Sequence, residues 1–297
     1  MHWQTSRFQI DLARPQVMGI VNVTPDSFSD GGRFAKRDTA LAHCEQLLKD
    51  GADILDIGGE STRPGATAVP EDEELARVLP VLRHAVTLGV PVSVDTYKPA
   101  VMQAALDLGA DIINDIWALR WQGDRHGLGG SAVVRAHPTC GVCLMHMHRE
   151  PQTMQAAPMA GDVLPQVAAF LQDVAQQLQR QGVDASRICL DPGIGFGKTV
   201  QQNFALLARQ AELLPLGFAL LAGWSRKSSL AALLQLPSMV VGAVGMQERM
   251  VPSVTAALLA VQNGAAVVRV HDVAPTVQAL KVFAAMQAAT QPVNQAT

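Results

Sequence analysis

The residues best suited to chemistry are polar groups that stand where short apolar runs end. Asp191 closes Arg187-Ile-Cys-Leu-Asp191 and opens the glycine-rich turn Pro192-Gly193-Ile-Gly195-Phe196-Gly197-Lys198. Asn22, Asp95 and Asn114 close similar runs, Lys227 follows another, and Arg269 and His271 stand two apart on the last. A run of four to eight apolar residues bounded by Gly or Pro reads as a strand buried on both faces, and packing does not call for an acid at its end. Charged groups buried beneath a ligand cost several kcal/mol unless paired, so Asp95, Asn114 and Asp191 imply a donor-rich partner. A heterocycle presenting N–H groups would meet that need, each charge-assisted bond contributing roughly 1.5–3 kcal/mol. The cations Arg63, Arg226, Lys227, Arg269 and His271, at the ends of buried strands, point to an anion. Residues two apart on a strand share a face, so Arg269 and His271 with Asn22 could hold a diphosphate and its magnesium, an ion that prefers oxygen ligands and keeps several waters.

Other readings of these stretches are weaker. A phosphate loop of the form GxxxxGK[ST] ending at Lys198-Thr199 would need glycine where Pro192 stands. Glycines 193, 195 and 197 instead read as letting the backbone turn sharply and approach a flat ligand. Asp95 and Asp191 taken singly could cap the helices that follow them. His146 and His148 share a face without Cys, Asp or a third His nearby, which favours packing or loop contacts over metal, and Met145 likewise reads as core lining. Cys140 and Cys143 form a lone CxxC that leads into a strand, where free cysteines serve as small hydrophobes. No Ser-His-Asp order, GxSxG or HExxH motif supports hydrolytic chemistry.

The elements that must position these residues alternate without a linker. Strands are expected at 17–22, 53–59, 91–95, 111–116, 141–148, 187–191, 218–223 and 264–272. Helices are expected near 40–48, 70–87, 98–108, 131–136, 163–181, 203–214, 252–263 and 275–288. Phe8-Gln-Ile-Asp-Leu12 alternates and adds a short strand before them. Eight strand–helix units suit an α/β (β/α)8 TIM barrel better than an open doubly wound sheet, which would carry GxGxxG after its first strand. In such a barrel the C-terminal strand ends and their loops share one face, which assembles one site from seven strands.

The 297 residues, 48% hydrophobic and 16% charged, read as a single domain over 1–297 with a frayed tail near 288–297. A net charge of -3 argues against nucleic-acid binding, and no apolar run approaches the length of a membrane span. A cytoplasmic protein is expected.

Quoted together, Asn22-Val-Thr-Pro-Asp-Ser-Phe-Ser-Asp-Gly-Gly32, Asp56-Ile-Gly-Gly-Glu-Ser-Thr-Arg-Pro-Gly65, Ser93-Val-Asp95-Thr, Ile113-Asn114-Asp115, Asp191-Pro-Gly-Ile-Gly-Phe-Gly197, Ser225-Arg-Lys-Ser228 and Arg269-Val-His271-Asp272 resemble the dihydropteroate synthases over nearly the whole chain. The resemblance implies a transferase of folate biosynthesis on a TIM barrel, usually a homodimer. It would condense 6-hydroxymethyl-7,8-dihydropterin diphosphate with p-aminobenzoate to give 7,8-dihydropteroate and diphosphate. It also implies a pterin pocket of Asp95, Asn114, Asp191 and Lys227 with Met145, Gly195 and Phe196. Asn22 would be the magnesium contact, with Thr62, Arg269 and His271 on the diphosphate. Phe28, Thr62, Arg63, Pro64, Phe196 and Ser228 would form the p-aminobenzoate subsite, where sulfonamides compete in this family. The catalytic set would then be Asn22, Lys227, Arg269 and His271.

The chemistry so implied is dissociative: diphosphate leaves first, the pterin spreads the positive charge, and the neutral arylamine attacks and then loses its proton. Two other readings remain open at this point. One is a methyltetrahydrofolate-binding methyltransferase-type barrel, which has no use for Arg269-x-His271. The other is a catalytically silent paralogue, in which loss of the Ser225-Arg-Lys or Arg269-x-His271 groups would be expected; both are intact.

Overall fold

A computed structural model describes residues 1–23, 33–62, 66–121, 129–234, 245 and 247–289, with side chains in the first helix from residue 38 onward. The chain begins with an antiparallel pair, β1 His2–Gln4 and β2 Gln9–Asp11, of which sequence patterning shows only the second. The main fold then runs β3 Gln16–Asn22, α1 Arg33–Lys49, β4 Ile54–Gly58, α2 Glu71–Ala85, β5 Val92–Asp95, α3 Pro99–Asp107 and β6 Ile112–Asp115. It continues with α4 Gly130–Ala136, β7 Gly141–Met145, α5 Val163–Arg180, β8 Ile188–Asp191, α6 Val200–Ala208, β9 Ala219–Ala222, α7 Ser228–Leu233, α8 Met250–Gln262, β10 Val267–Val270 and α9 Val273–Ala289. Strands β3 to β10 pair in parallel in chain order, and β10 pairs back on β3, closing an eight-stranded barrel.

One helical expectation needs correction, and one short helix stands outside the expected set. The helix expected over 203–214 is two pieces: α6 starts at Thr199, whose hydroxyl accepts from Gln202 N–H in a reciprocal capping box, and it stops at Ala208. A 3-10 stretch, Gln210–Leu216, follows, and its end is set by Gly217 in the left-handed region at φ 82°. Helix α7, just after Lys227, has no counterpart among the expected helices because it is too short to show a helical period.

Alternation along the strands sorts the barrel into an outer and an inner set. Val17, Val21, Leu55, Ile57, Val92, Val94, Ile113, Val142, Leu144, Ile188, Leu190, Leu220, Val268 and Val270 face the helices in the main core. The opposite parity fills the lumen. Its lower part holds Met18, Ile54, Ile112, Cys143, Cys189, Ala219, Leu221 and Val267, closed from below by Trp3 and Ile10 of the N-terminal pair.

Trp3 is fully buried and its indole N–H donates to the Arg187 carbonyl at 2.9 Å. Arg7 ties the same segment to Asp111 through Nε and Nη2, at 3.0 and 2.6 Å. The N-terminal pair is therefore the floor of the barrel. Trp3→Ala is expected to lower stability by about 3–5 kcal/mol in urea unfolding, the usual loss for a buried aromatic. Ligand affinity at the opposite mouth should not change; a drop there would show that the floor reaches the site.

Candidate active site

The upper lumen is polar, and it is formed by the same alternation. Asn22, Gly58, Asp95 and Asn114 lie side by side in one row across β3, β4, β5 and β6. Met145 sits beside Asp191 on β7 and β8. Asp56 and Arg269 share the parity of Gly58 and Val267 and complete the set. Asp115 has the opposite parity and stays out of it: its carboxylate accepts from Trp117 N at 2.8 Å and Leu119 N at 2.6 Å, and burial pushes it up to about 7.

Arg269 reaches across the lumen. Its Nε donates to Asp56 Oδ2 at 2.6 Å and its Nη2 to Asp95 Oδ2 at 2.7 Å, while Asn114 Nδ2 donates to Asp56 Oδ2 at 3.4 Å. Burial opposes the guanidinium charge, but the two carboxylates outweigh it and hold Arg269 above its ordinary range. Burial pushes Asp95 up to about 7, with Arg269 opposing the shift. Asp56, fully buried, escapes a reading based on strand ends. The signal for it was an acid inside the apolar run Ile54-Leu-Asp-Ile57, where packing alone would place another hydrophobe.

Asp191 is buried and its Oδ1 accepts from Gly193 N at 2.7 Å. Burial raises it, while Lys227, Lys198 and Arg269 act in the other direction. Lys227 Nζ lies 4.3 Å from the centre of the Phe196 ring, a cation–π distance, and its Cδ would be 3.3 Å from a Cβ at Gly195. Phe196 and Met145 join Ile116, Met147, Met154, Tyr97 and Trp117 in an apolar cluster beside the acids. A flat, hydrogen-bonding ring suits such a place. Neither Asp95 nor Asp191 caps a helix: α3 is led by Lys98 and α6 by Thr199.

His271 follows β10. Its backbone N–H donates to Ser225 Oγ at 3.1 Å, and its Nδ1 lies 3.0 Å from the same oxygen. A hydroxyl that accepts from the N–H and donates to Nδ1 keeps the ring proton on Nε2, ready for an anion. Arg226, expected to meet an anion, instead pairs with Asp272 through Nη2 at 2.8 Å and Nε at 3.2 Å. Asn22 is half-buried at the barrel mouth, as is Thr62, and Ser228 is exposed at the start of α7. Phe28, Arg63 and Pro64 lie outside the described residues.

Glycines 193 and 197 do not make room for a ligand. Both have positive φ, and a Cβ would fall 1.8 Å from the His146 carbonyl oxygen at the first and 2.6 Å from His148 Cβ at the second. They let the β8–α6 loop lie on the end of β7. Buried Lys198 binds that loop together, donating to the Gly193 carbonyl at 2.8 Å and the Phe196 carbonyl at 3.2 Å, with His146 Nδ1 at 2.9 Å. It is turned inward, so the loop is not a phosphate loop. Below Thr62, Lys98 pairs with both Glu60 and Glu74, and Tyr97 Oη donates to Glu60 at 2.9 Å. This pairing, which no sequence pattern indicates, anchors the base of the β4–α2 loop.

Fold and site together define a class: a (β/α)8 barrel whose mouth joins a slot for a hydrogen-bonding heterocycle to a cationic edge. Residues 18–271 match the family model described as pterin binding enzyme. The dihydropteroate synthase of Neisseria meningitidis serogroup B is 49% identical over 96% of this chain and 97% of its own length. The Burkholderia cenocepacia dihydropteroate synthase complexed with 7,8-dihydropteroate superposes with a TM-score of 0.83 at 50% identity, covering 97% of each chain. The Yersinia pestis dihydropteroate synthase in a sulfonamide drug complex gives a TM-score of 0.86 at 42% identity, covering 97% of this chain and all of that one. The chain belongs to the pterin binding enzyme family, among its dihydropteroate synthases.

His146 offers a test of the loop's anchoring. Burial, and next Lys198, depress its pKa to about 3, so the folded protein holds it neutral. The unfolded chain binds the extra proton below about 6.5, so this contribution to stability is lost as pH falls from about 6.5 toward about 3. Wild type should exceed His146→Asn in urea stability near neutral pH, and the gap should narrow by about pH 4. A gap that stays constant would mean that His146 titrates normally in the fold.

Proposed function

We propose that this chain condenses 6-hydroxymethyl-7,8-dihydropterin diphosphate with p-aminobenzoate, giving 7,8-dihydropteroate and diphosphate. One observation carries the reading: Asp95, Asn114, Asp191 and Lys227 line the same lumen as Arg269, whose strand leads to His271. Ring donors would be taken by Asp95 and Asp191, and ring acceptors by Lys227 and Asn114. Phe196, Met145 and Gly195 would bound the ring's faces. Arg269 and His271, with Thr62, would receive the diphosphate, and Phe28, Thr62, Arg63, Pro64, Phe196 and Ser228 would form the arylamine subsite at the rim.

Among the described residues no group of three His, Cys, Asp or Glu could hold a metal ion. A single amide oxygen from Asn22 suits magnesium, which binds through few protein groups and is otherwise met by phosphates and water. Such an ion would supply charge neutralisation to the leaving diphosphate. The chain's own part is positioning and electrostatics: Arg269 and His271 offer N–H donors where negative charge accumulates, and the dry acid-lined slot holds the ring in register. No general base is needed, because the arylamine can shed its proton after attack on a cationic methylene.

A homodimer is supported by exposed apolar residues on the last two helices, Met250, Val251 and Leu259 with Val282 and Met286. The uninterrupted barrel supports a single domain over 1–297. No helix among the described residues is long and apolar enough to cross a membrane, which agrees with a cytoplasmic site of action.

The first experiment is diphosphate release from the pterin diphosphate with magnesium, with and without p-aminobenzoate. Release that needs both substrates, is slowed by a sulfonamide and shows a large secondary isotope effect at a deuterated methylene is expected. No release, with pterin still bound in calorimetry, would instead favour a methyltetrahydrofolate-type binding barrel or a silent paralogue. In the same calorimetry Asp191→Asn should weaken pterin binding by roughly 2–4 kcal/mol, because ring donors lose a charged acceptor. Unchanged affinity would remove Asp191 from the pocket.

A further inference from the structure

Three aspartates of the barrel, Asp56, Asp111 and Asp115, are fully buried and are held in different ways. Asp111 is saturated by the framework: it accepts from Arg7 N, Nε and Nη2 and from Val92 N. Asp115 is held by two backbone N–H groups of its own turn. Asp56 is as deeply buried but takes no backbone donor among the described residues. Both of its partners, Arg269 and Asn114, are side chains of the proposed site, and both meet Oδ2, while Oδ1 has no donor among the described residues. Glu74 is likewise held by a side chain, Lys98, with one oxygen unmet among the described residues, so what sets Asp56 apart is that its partners belong to the proposed site.

The grip on Arg269 is directional. Nε and Nη2 lie along one edge of the planar guanidinium, and Asp56 takes the first while Asp95 takes the second. Held by that edge, the group turns Nη1 and the other Nη2 hydrogen the opposite way, and Nη1 makes no hydrogen bond to a described residue. A guanidinium fixed in plane by one edge meets an anion with the other at little further ordering cost.

We propose that Asp56 is a positioning residue for the reaction, clamping Arg269 through Nε so that its terminal edge is aimed at the departing diphosphate. When a pterin takes Asp95 through its own N–H groups, Asp56 becomes the sole acid holding the guanidinium. The role rests on the reading of the preceding subsection.

The test is Asp56→Asn, which keeps the shape and removes the charge. If Asp56 only balances the buried cation, its neutralisation leaves a more positive site, and the diphosphate-bearing pterin binds as well or better. If it aims Arg269, affinity for that ligand and kcat both fall by roughly tenfold or more. A pterin lacking diphosphate meets Asp56 only indirectly, through Asn114 and Asp95, so its affinity should fall clearly less than that of the diphosphate-bearing ligand. Equal losses for the two ligands, or none, would overturn the role.

A second readout needs no substitution at Asp56. In wild type labelled at arginine 15Nε, with the signal assigned by its disappearance in Arg269→Lys, the Arg269 Nε–H should exchange slowly both free and with inorganic diphosphate and magnesium. Loss of that protection on adding diphosphate would show that Asp56 lets go, and would overturn the role whether or not Asp56→Asn folds. A wild type that releases no diphosphate sinks the functional reading; one that turns over normally beside an unaltered Asp56→Asn sinks only the clamp.

Discussion

The structure of the site depends on one interaction across the barrel lumen, in which Arg269 is shared by Asp56 and Asp95. Each of these groups would be costly to bury alone, and breaking a buried pair by removing one partner typically costs 3–5 kcal/mol. Together they form a two-acid, one-cation unit linking β10 to β4 and β5, strands separated around the barrel wall. That unit lets the upper lumen be polar where the lower lumen is filled with Met18, Ile54, Ile112 and Leu221. A lumen packed with hydrophobes throughout would be at least as stable, since apolar replacement of buried ion pairs is often neutral or stabilising. The charged layer is thus better explained by ligand recognition than by folding.

The same division of labour recurs around the mouth. Lys198, His146 and glycines 193 and 197 hold the β8–α6 loop against the end of β7. That places Gly195 and Phe196 beside Lys227. Glu60, Lys98 and Glu74 do the equivalent for the loop that carries Thr62. In both cases a buried lysine is caged by several acceptors, and a neighbouring residue is left to face the site. Rigid support of this kind suits chemistry carried by preorganised charge, because the dipoles and cations need not rearrange as the diphosphate departs.

Much of this was legible in the sequence. Apolar runs closed by polar residues and separated by helical patterns specify a parallel barrel, and period-2 alternation assigns each strand residue to lumen or shell. Asn22, Asp95, Asn114, Met145, Asp191 and Arg269 all share the inward parity, so their meeting at one mouth follows from local pattern and closure alone. Short elements were harder to read. The strand at His2–Gln4 and helix α7 span too few residues to show a period, and the break after Ala208 reflects a local switch to 3-10 geometry that leaves hydropathy unchanged.

What the sequence by itself determined is the architecture and the chemical inventory, because burial and periodicity are local properties of the chain. What only the tertiary structure decided is who pairs with whom. Arg226 and Arg269 are both arginines near strand ends, yet one is bound by Asp272 just past the end of β10 and the other by Asp56 and Asp95 in the lumen. Lys198 and Lys227 flank the same pocket, yet one is folded inward on carbonyls and the other lies over Phe196. Those outcomes depend on barrel closure and register, which bring together residues as far apart as Asp56 and Arg269, and no local pattern encodes that distance.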